Sequence, residues 1–500
     1  MLHVPPQSRA APPRTSALAE ALRGLGYSTA TALADIIDNS IAAGAANVWL
    51  GFSWEEDRSS VSILDDGAGM DDQALERAMR LGDRSPLDDR SPNDLGRFGL
   101  GLKTASFSQC RSLTVASRRA GALSCLRWDL DVLKEAGPGE WPLLVGPATG
   151  SEDRLRLLDD FASGTLVLWE KMDRVIGPGF GEKNFLDLVD GIEAHLAMVF
   201  HRYVGGAAPK LLIHINGTAI RPWDPFLASH PATWSSPTQR LPTVSGIVEV
   251  QCHVLPHKDR LDLKLYEAAG GPDGWTAQQG FYVYRNERLL LAGSWLGLGS
   301  GRAWTKEEAH RLARIRVDIP NTADADWKID IRKSTARPPV SVRRRLVRLA
   351  EDTRSRARRV FAHRGAPVRN PAGTEVTAAW RPDRFEGGIR YRIDVSHPAV
   401  KAALDGAGTN EPAVRAMLRV LEETIPVQRI WLDTAEAKET PRTSFAGEPP
   451  AEVASVLRTL HRNLVCRKGL SPDQSRAMLL ATEPFQNFPD LVAALPDGPG

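Results

Sequence analysis

The sequence predicts an α+β chain in three parts: an α/β sandwich domain, a second α/β domain and a mainly helical C-terminal region. Three observations carry this. Between residues 16 and 205, helical patterns alternate with short strand-like runs. Strand-like runs recur from 206 to 340, and beyond 340 apolar residues return at spacings of three to four. The length of 500 residues, at about 150 per domain, agrees with roughly three domains.

Residues 1–15 read as a flexible arm, because Pro5, Pro6, Pro12 and Pro13 remove backbone donors and oppose helix formation. Order is expected from Ser16. Helices are expected over 16–25, 30–45, 71–81, 100–108 and 183–203. Strands are expected at NVWLGFSW, SVSILDD, SLTVASRR, LSCLRWDL and GTLVLWEK. The run KLLIHINGTAI opens the second domain (206–340), with Asn216-Gly217 as a hairpin turn. GIVEVQCHVL, GFYVYRNERLLLAG and ARIRVDI continue it to Pro338-Pro339. Residues 341–364 form a basic amphipathic helix, apolar at Leu346, Leu349, Ala357 and Val360. Residues 365–375 read as a linker. Residues 376–500 are mainly helical, with candidates at 398–404, 410–424, 450–466 and 471–481.

Composition excludes several classes of function. Lys+Arg 63 against Asp+Glu 61 leaves a net charge of +2, too little for nucleic-acid binding over the whole surface, so any such binding is local. Cys110, Cys125, Cys252 and Cys466 show no C-x-x-C spacing and no compact cluster with histidine, which argues against a zinc finger or a disulfide framework. The first residues lack a signal-peptide core, and no run of about 18 apolar residues occurs. The expectation is a cytoplasmic protein without a membrane span.

Chemistry concentrates in three stretches. On a helix, Leu33, Ile36, Ile37 and Ile41 share one side, while Asp35, Asp38 and Asn39 share the other. Taken alone, that is a solvated polar face. A carboxylate and an amide four residues apart can also hold a hydrated Mg²⁺, with Asn39 ligating the ion and Asp35 polarising a water as general base. The strand SVSILDD runs into Gly67-Ala68-Gly69, where glycines permit a sharp turn and close approach of a ligand. Asp65 there can accept from an exocyclic amine, and Met70 offers a polarisable surface to a flat ring. By itself this motif equally describes an ordinary turn.

The third stretch runs from Gly96 to Thr104, with Gly99, Gly101 and Lys103 opening a helix where an anion would meet free N–H groups and a cation. It is not a P-loop, because Leu102 separates Gly101 from Lys103. The preceding segment from Leu81 to Asp94 is polar and punctuated by Pro86 and Pro92, as a lid would be.

In this order and spacing, and with Gly164-Thr165 on a later strand, these stretches resemble the nucleotide-binding boxes of the GHKL ATPases. That superfamily holds gyrase B, the ninety-kilodalton heat-shock chaperones, sensor histidine kinases and MutL. The Gly96–Thr104 form, the Leu81-Gly82-Asp83-Arg84-Ser85 lid, and the phrase from His195 to Arg202 leading into Asn216-Gly217 and Asp224-Pro225-Phe226 most resemble MORC-type ATPases and their prokaryotic relatives.

The resemblance implies a Bergerat-type ATPase domain over 16–205, followed by a transducer-like domain over 206–340. It implies ATP and Mg²⁺ as cofactors and an ATP-dependent homodimer. Asn39 would bind Mg²⁺ and Asp65 the adenine amine, with Gly67, Gly69 and Met70 shaping the pocket and Thr165 adding a hydrogen bond. Gly99, Leu100, Gly101, Leu102, Lys103 and Thr104 would meet the phosphates. Two departures stand out: Asp35 replaces the usual glutamate base, which bears on hydrolysis more than on binding, and Ala42 replaces an acidic residue. A transducer lysine for the γ-phosphate is sought in Asp326–Ser334. Lys333 is the choice, with Lys328 and Arg332 as alternatives to it and solvation as the ordinary reading of each.

The helix bearing Arg343, Arg344, Arg345, Arg348, Arg354, Arg356, Arg358 and Arg359 either contacts successive phosphates of DNA or is a solvated helix. His195 and His201 read as packing or surface residues rather than metal ligands. The expected function is an Mg-ATP-driven clamp in DNA repair, chromosome maintenance or defence against foreign DNA, with further protein partners unidentified. A chaperone-like ATPase and a non-hydrolysing nucleotide-sensing regulator are the alternatives.

Overall fold

The computed structural model of the chain describes residues 14–82, 101–137, 139–330, 333, 335–362, 376–385, 388–430, 451–466 and 468–497. The expected arm (residues 1–13 of it), nearly all of the lid, Gly99, Leu100, Arg332 and the linker lie outside them. The described residues form two compact units, one ending at Arg358 and one beginning at Arg359.

The first unit opens with α1 (Thr15–Arg23), α2 (Thr29–Ala42), β1 (Asn47–Ser53), β2 (Ser60–Asp65), α3 (Asp72–Met79) and α4 (Gly101–Phe107). There follow β3 (Ser112–Arg119), β4 (Ala122–Asp129), α5 (Leu130–Glu135), β5 (Leu144–Val145), β6 (Gly164–Glu170), α6 (Glu182–Val199), α7 (His201–Val204), β7 (Leu212–Ile215) and β8 (Thr218–Ala219). The strands form one sheet in the order β5-β4-β3-β6-β2-β1-β7-β8. All its neighbours are antiparallel except β1 and β7. Alternation explains its faces: Val48, Leu50 and Phe52 of β1 enter the main core, while Trp49 packs on the opposite face with Leu64, Leu158 and Phe161. Helix α2 starts where the Ser28 hydroxyl accepts from the Thr31 N–H at 3.2 Å. Its Leu33, Ile36 and Ile37 are fully buried, each worth about 1.5–3 kcal/mol.

The hairpin at Asn216-Gly217 forms as expected, but its strands join the first sheet. β7 pairs in parallel with β1, Val48 opposite Ile213, so the first sheet extends beyond residue 205 to Ala219.

Next come β9 (Trp234–Ser235), β10 (Gln239–Thr243), β11 (Gly246–Val254), α8 (Leu263–Gly270), α9 (Gly274–Ala277), β12 (Gly280–Arg285), β13 (Arg288–Ser294), β14 (Ala313–Ile319), α10 (Asp324–Trp327) and α11 (Val340–Ala362). The second sheet has the order β10-β11-β14-β12-β13, with β9 against β11. Helix α6 serves both sheets. Its Ile192, Leu196 and Val199 lie in the first core, while Met198 packs with Phe226, Tyr282, Tyr284 and Leu289. The arginine face of α11 is not uniform. Arg343, Arg344, Arg348, Arg358 and Arg359 are exposed, but Arg354 is buried, its guanidinium 4.7 Å from the Trp295 ring and 5.0 Å from the Trp304 ring.

The seam between the two sheets holds neutral histidines. His201 Nε2 lies 2.8 Å from the Tyr284 hydroxyl. Burial and the neighbouring Arg202 push His201 down to about 3. Burial with nearby arginines brings His195 and His253 down to about 4. The unfolded chain takes up these protons near the ordinary 6.5, whereas the folded state resists them. The stability they contribute is therefore complete above that pH and lost as the pH falls towards 4. Each histidine steepens the loss by up to about 1.4 kcal/mol per pH unit. Urea unfolding at pH 7, 6 and 5 is expected to show this slope, and His201→Gln is expected to flatten it by one proton's share. An unchanged slope in the variant would contradict the assignment.

The second unit carries a hairpin of β15 (Trp380–Phe385) and β16 (Gly388–Ile393), where the sequence predicts a mainly helical region. Its helices α12 (Pro398–Gly406), α13 (Glu411–Glu423), α14 (Ala451–Cys466), α15 (Pro472–Leu480) and α16 (Pro489–Ala493) match the expected helical candidates, with α16 additional. Leu457, Leu460, Leu464, Leu479, Phe485, Val492 and Leu495 form its core.

Candidate functional site

Helix α2 and the end of β2 build one half of the site. Asp65, buried at the strand's exit, accepts from the Ser40 hydroxyl at 2.7 Å and from the Gly67 N–H at 3.0 Å. Burial raises its carboxyl above the usual range, partly offset by those donors. The turn that follows requires its glycines. A Cβ on Gly69, at φ +62°, would fall 2.0 Å from the Arg118 carbonyl oxygen, and one on Gly67 would fall 2.9 Å from the Ala43 Cβ.

Thr165 on β6 stands opposite Asp65, and its hydroxyl lies 2.9 Å from that of Ser117 on β3. Ser117 in turn accepts from the Met70 N–H at 2.8 Å and donates to the Gly164 carbonyl at 3.0 Å. Asp65, Gly67, Gly69, Met70 and Thr165 thus gather as one polar-walled corner, joined by Ser40 and Ser117, which sequence reasoning missed. Neither serine carries a motif signal, since their roles follow from helix phase and strand register.

Near the start of α4 the picture is mixed. Thr104 is buried and hydrogen-bonds Tyr27, and Leu102 packs on the main core. The Lys103 side chain is buried and donates from Nζ to the Ala78 carbonyl, 2.8 Å away at the end of α3.

The other half of the site is an ion cluster on α2. The polar face of α2, which taken alone reads as solvated, is largely buried: Asp35 is 7% exposed and Asp38 1%, while Asn39 is exposed. Asp35 accepts from the Tyr27 hydroxyl at 3.0 Å and from Lys333 Nζ at 2.9 Å. Lys333 also donates to Asp38, which accepts from Arg288 Nε at 3.2 Å. Arg288 reaches Asp35 as well, at 3.6 Å. Burial alone would raise the Asp38 carboxyl, but the Arg288 and Lys333 cations hold it below the usual range.

Lys333 is placed by its loop. Trp327 is fully buried, Asp330 accepts from the Lys333 N–H at 3.0 Å through its carbonyl, and its carboxylate accepts from the Thr335 N–H at 2.8 Å. The alternative Lys328 is exposed. Arg288 and Tyr27 were not foreseen. Arg288 follows a two-residue turn, Asn286-Glu287, in which both φ angles are positive (45° and 65°); that turn usually announces itself by glycine.

The corner can take a flat, amine-bearing ring, and the exposed Asn39 amide can ligate a hydrated cation beside buried carboxylates and a lysine, a donor set suited to Mg²⁺ and a phosphate chain. No group of three or more His, Cys, Asp or Glu arranged for a metal occurs among the described residues. No helix among them is long and apolar enough to cross a membrane.

Comparisons with known proteins bear on this geometry. No curated protein matches the chain. Among solved structures, the ATPase and transducer domains of DNA topoisomerase II from Balamuthia mandrillaris are similar at 10% identity and a TM-score of 0.37, over 66% of this chain and 84% of that one. Residues 27–165 match the family described as histidine kinase-, DNA gyrase B-, and HSP90-like ATPase. That span runs from Tyr27 to Thr165 and encloses α2, the glycine turn and α4, so this part of the chain is an ATPase domain of the GHKL type.

Proposed function

We propose that the chain is an Mg-ATP-binding, slowly hydrolysing ATPase, closest to the MORC type, whose lid closure and dimerisation act as a clamp. The observation that carries this reading is the meeting of Lys333 with Asp35 and Asp38, 298 and 295 residues earlier in the chain. A cation from far along the chain thereby sits beside the carboxylates of α2, which supports a transducer-like role for the second domain. In this reading Asp65 accepts the adenine amine, Asn39 holds Mg²⁺, Gly99 to Thr104 cradle the phosphates, and Asp35 orients the attacking water once Lys333 has moved to the γ-phosphate. Mg²⁺ would supply charge neutralisation on the phosphate oxygens.

DNA is the proposed macromolecular partner, as part of DNA repair, chromosome maintenance or defence. Arg343, Arg344, Arg348 and Arg358 are exposed and have no carboxylate partner among the described residues, which supports a local phosphate-binding stripe.

A second reading, a nucleotide-sensing regulator that does not hydrolyse, is favoured by one observation: Asp35 is already engaged by Tyr27 and Lys333. Steady-state ADP release with Mg²⁺ over a range of protein concentrations separates the two. Turnover per chain is expected to rise with concentration and to vanish in Asp35→Asn and Asn39→Ala. ATP binding without ADP release above the variants would favour the regulator. DNA retained with a non-hydrolysable ATP analogue and released by salt is expected of the clamp, and retention indifferent to nucleotide would count against it.

A further inference from the structure

Asp38 and Asp35 are both buried, and two cations serve them. Arg288 is itself 4% exposed and is fixed from several sides. Its Nη1 donates to the Leu289 carbonyl at 2.6 Å, and its guanidinium lies 5.7 Å from the centre of the Phe200 ring. The turn before it is pinned where the Tyr203 hydroxyl donates to the Asn286 carbonyl. Lys333 is held differently, by a loop and a flexible stem, with 12% of its side chain exposed. The cluster therefore pairs one rigid cation with one that can swing.

We propose that Arg288 is a positioning residue for ATP hydrolysis: it retains the charge of Asp38 so that Lys333 is free to leave for the γ-phosphate. This rests on the ATPase reading above. A buried carboxylate stripped of its only cation is strongly unfavourable. With Arg288 in place, departure of Lys333 still leaves Asp38 bonded at 3.2 Å and Asp35 facing a guanidinium at 3.6 Å. Without Arg288, Lys333 becomes the sole counter-ion of Asp38 among the described residues and is trapped on it. The defect then lies in the availability of Lys333, and removing the trapping carboxylate must relieve it.

The test compares wild type, Arg288→Gln, Arg288→Lys, Asp38→Asn and the double variant Asp38→Asn/Arg288→Gln in the full chain. ADP release and the affinities for ATP and ADP are measured on each. Arg288→Gln is expected to lose roughly tenfold or more in turnover. It is also expected to weaken ATP binding while sparing ADP, which lacks the γ-phosphate. The double variant is expected to be more active than Arg288→Gln, and Arg288→Lys to stay near wild type. An arginine that merely holds the domains together would weaken ADP and ATP alike and would give no rescue, and either result overturns the proposal. Should Arg288→Gln fail to fold, Arg288→Lys and the double variant decide: both inactive overturns it. A wild type that releases no ADP overturns this proposal together with the ATPase reading. An active wild type beside an equally active Arg288→Gln overturns the role of Arg288 alone.

Discussion

Asp65→Asn is expected to weaken ATP binding by roughly 10- to 100-fold while moving the melting temperature by only a few degrees, because a hydrogen bond to a charged group is worth about 1.5–3 kcal/mol. The carboxylate oxygens already accept from Ser40 and Gly67 at 2.7 and 3.0 Å, with the Thr165 backbone N–H also acting on the group, and four lone pairs leave room for a ligand amine. An amide at this position presents one oxygen and one NH2. The oxygen satisfies the fixed Gly67 N–H, which cannot turn away. The NH2 then faces the Ser40 hydroxyl, which rotates to accept, so the fold is preserved. What is lost is the second acceptor towards the ligand, where a donor now meets the adenine amine. Calorimetric titration with ATP and with GTP checks this. GTP carries a carbonyl at the corresponding ring position, so the variant should lose discrimination between the two along with ATP affinity. Undiminished ATP binding by a folded variant would remove Asp65 from the adenine pocket.

The elements of the first sheet were legible because local pattern and tertiary outcome coincide. In β1 the alternation of Val48, Leu50 and Phe52 with less buried neighbours is written in the residues themselves. The glycine turn after Asp65 was legible for a similar reason, since backbone positions that exclude a Cβ leave glycines behind. Strand β7 was legible as a strand but not as a member of the first sheet. Its parallel partner β1 lies 165 residues earlier (Asn47 opposite Leu212), and no local pattern encodes that pairing.

The hairpin of β15 and β16 was missed although Gly387-Gly388 offers a turn signal, because Pro382 and the many charges around it depress strand propensity. At the site, the acidic face of α2 was visible as a pattern, yet its burial was not, because burial depends on a cation at 333 and another at 288. Lys333 could be sought in Asp326–Ser334 because the family resemblance implies a transducer lysine there. Arg288 could not, because nothing near it in the sequence says that it will face α2 from the other sheet.

Lys333→Met is expected to lower ADP release by roughly 100- to 1,000-fold, the scale on which removal of one charged group facing a transition state acts, and to destabilise the fold by up to about 3 kcal/mol. The two effects have separate origins and can be pulled apart. The stability loss arises because, among the described residues, Asp35 and Asp38 are left with Arg288 as the one remaining cation of the cluster, bonded at 3.2 Å to Asp38 and 3.6 Å from Asp35. In the proposed reading, the turnover loss arises because the lysine proposed to reach the γ-phosphate is gone. Adding Asp38→Asn removes the excess buried charge without replacing the lysine. The double variant is therefore expected to regain most of the stability in urea unfolding and none of the turnover. If turnover returned with stability, Lys333 would be a structural counter-ion only, and the γ-phosphate contact would have to come from elsewhere in the chain. If neither returned, the cluster would not be governed by charge balance, and the pairing of Lys333 with Asp38 would not be what holds it.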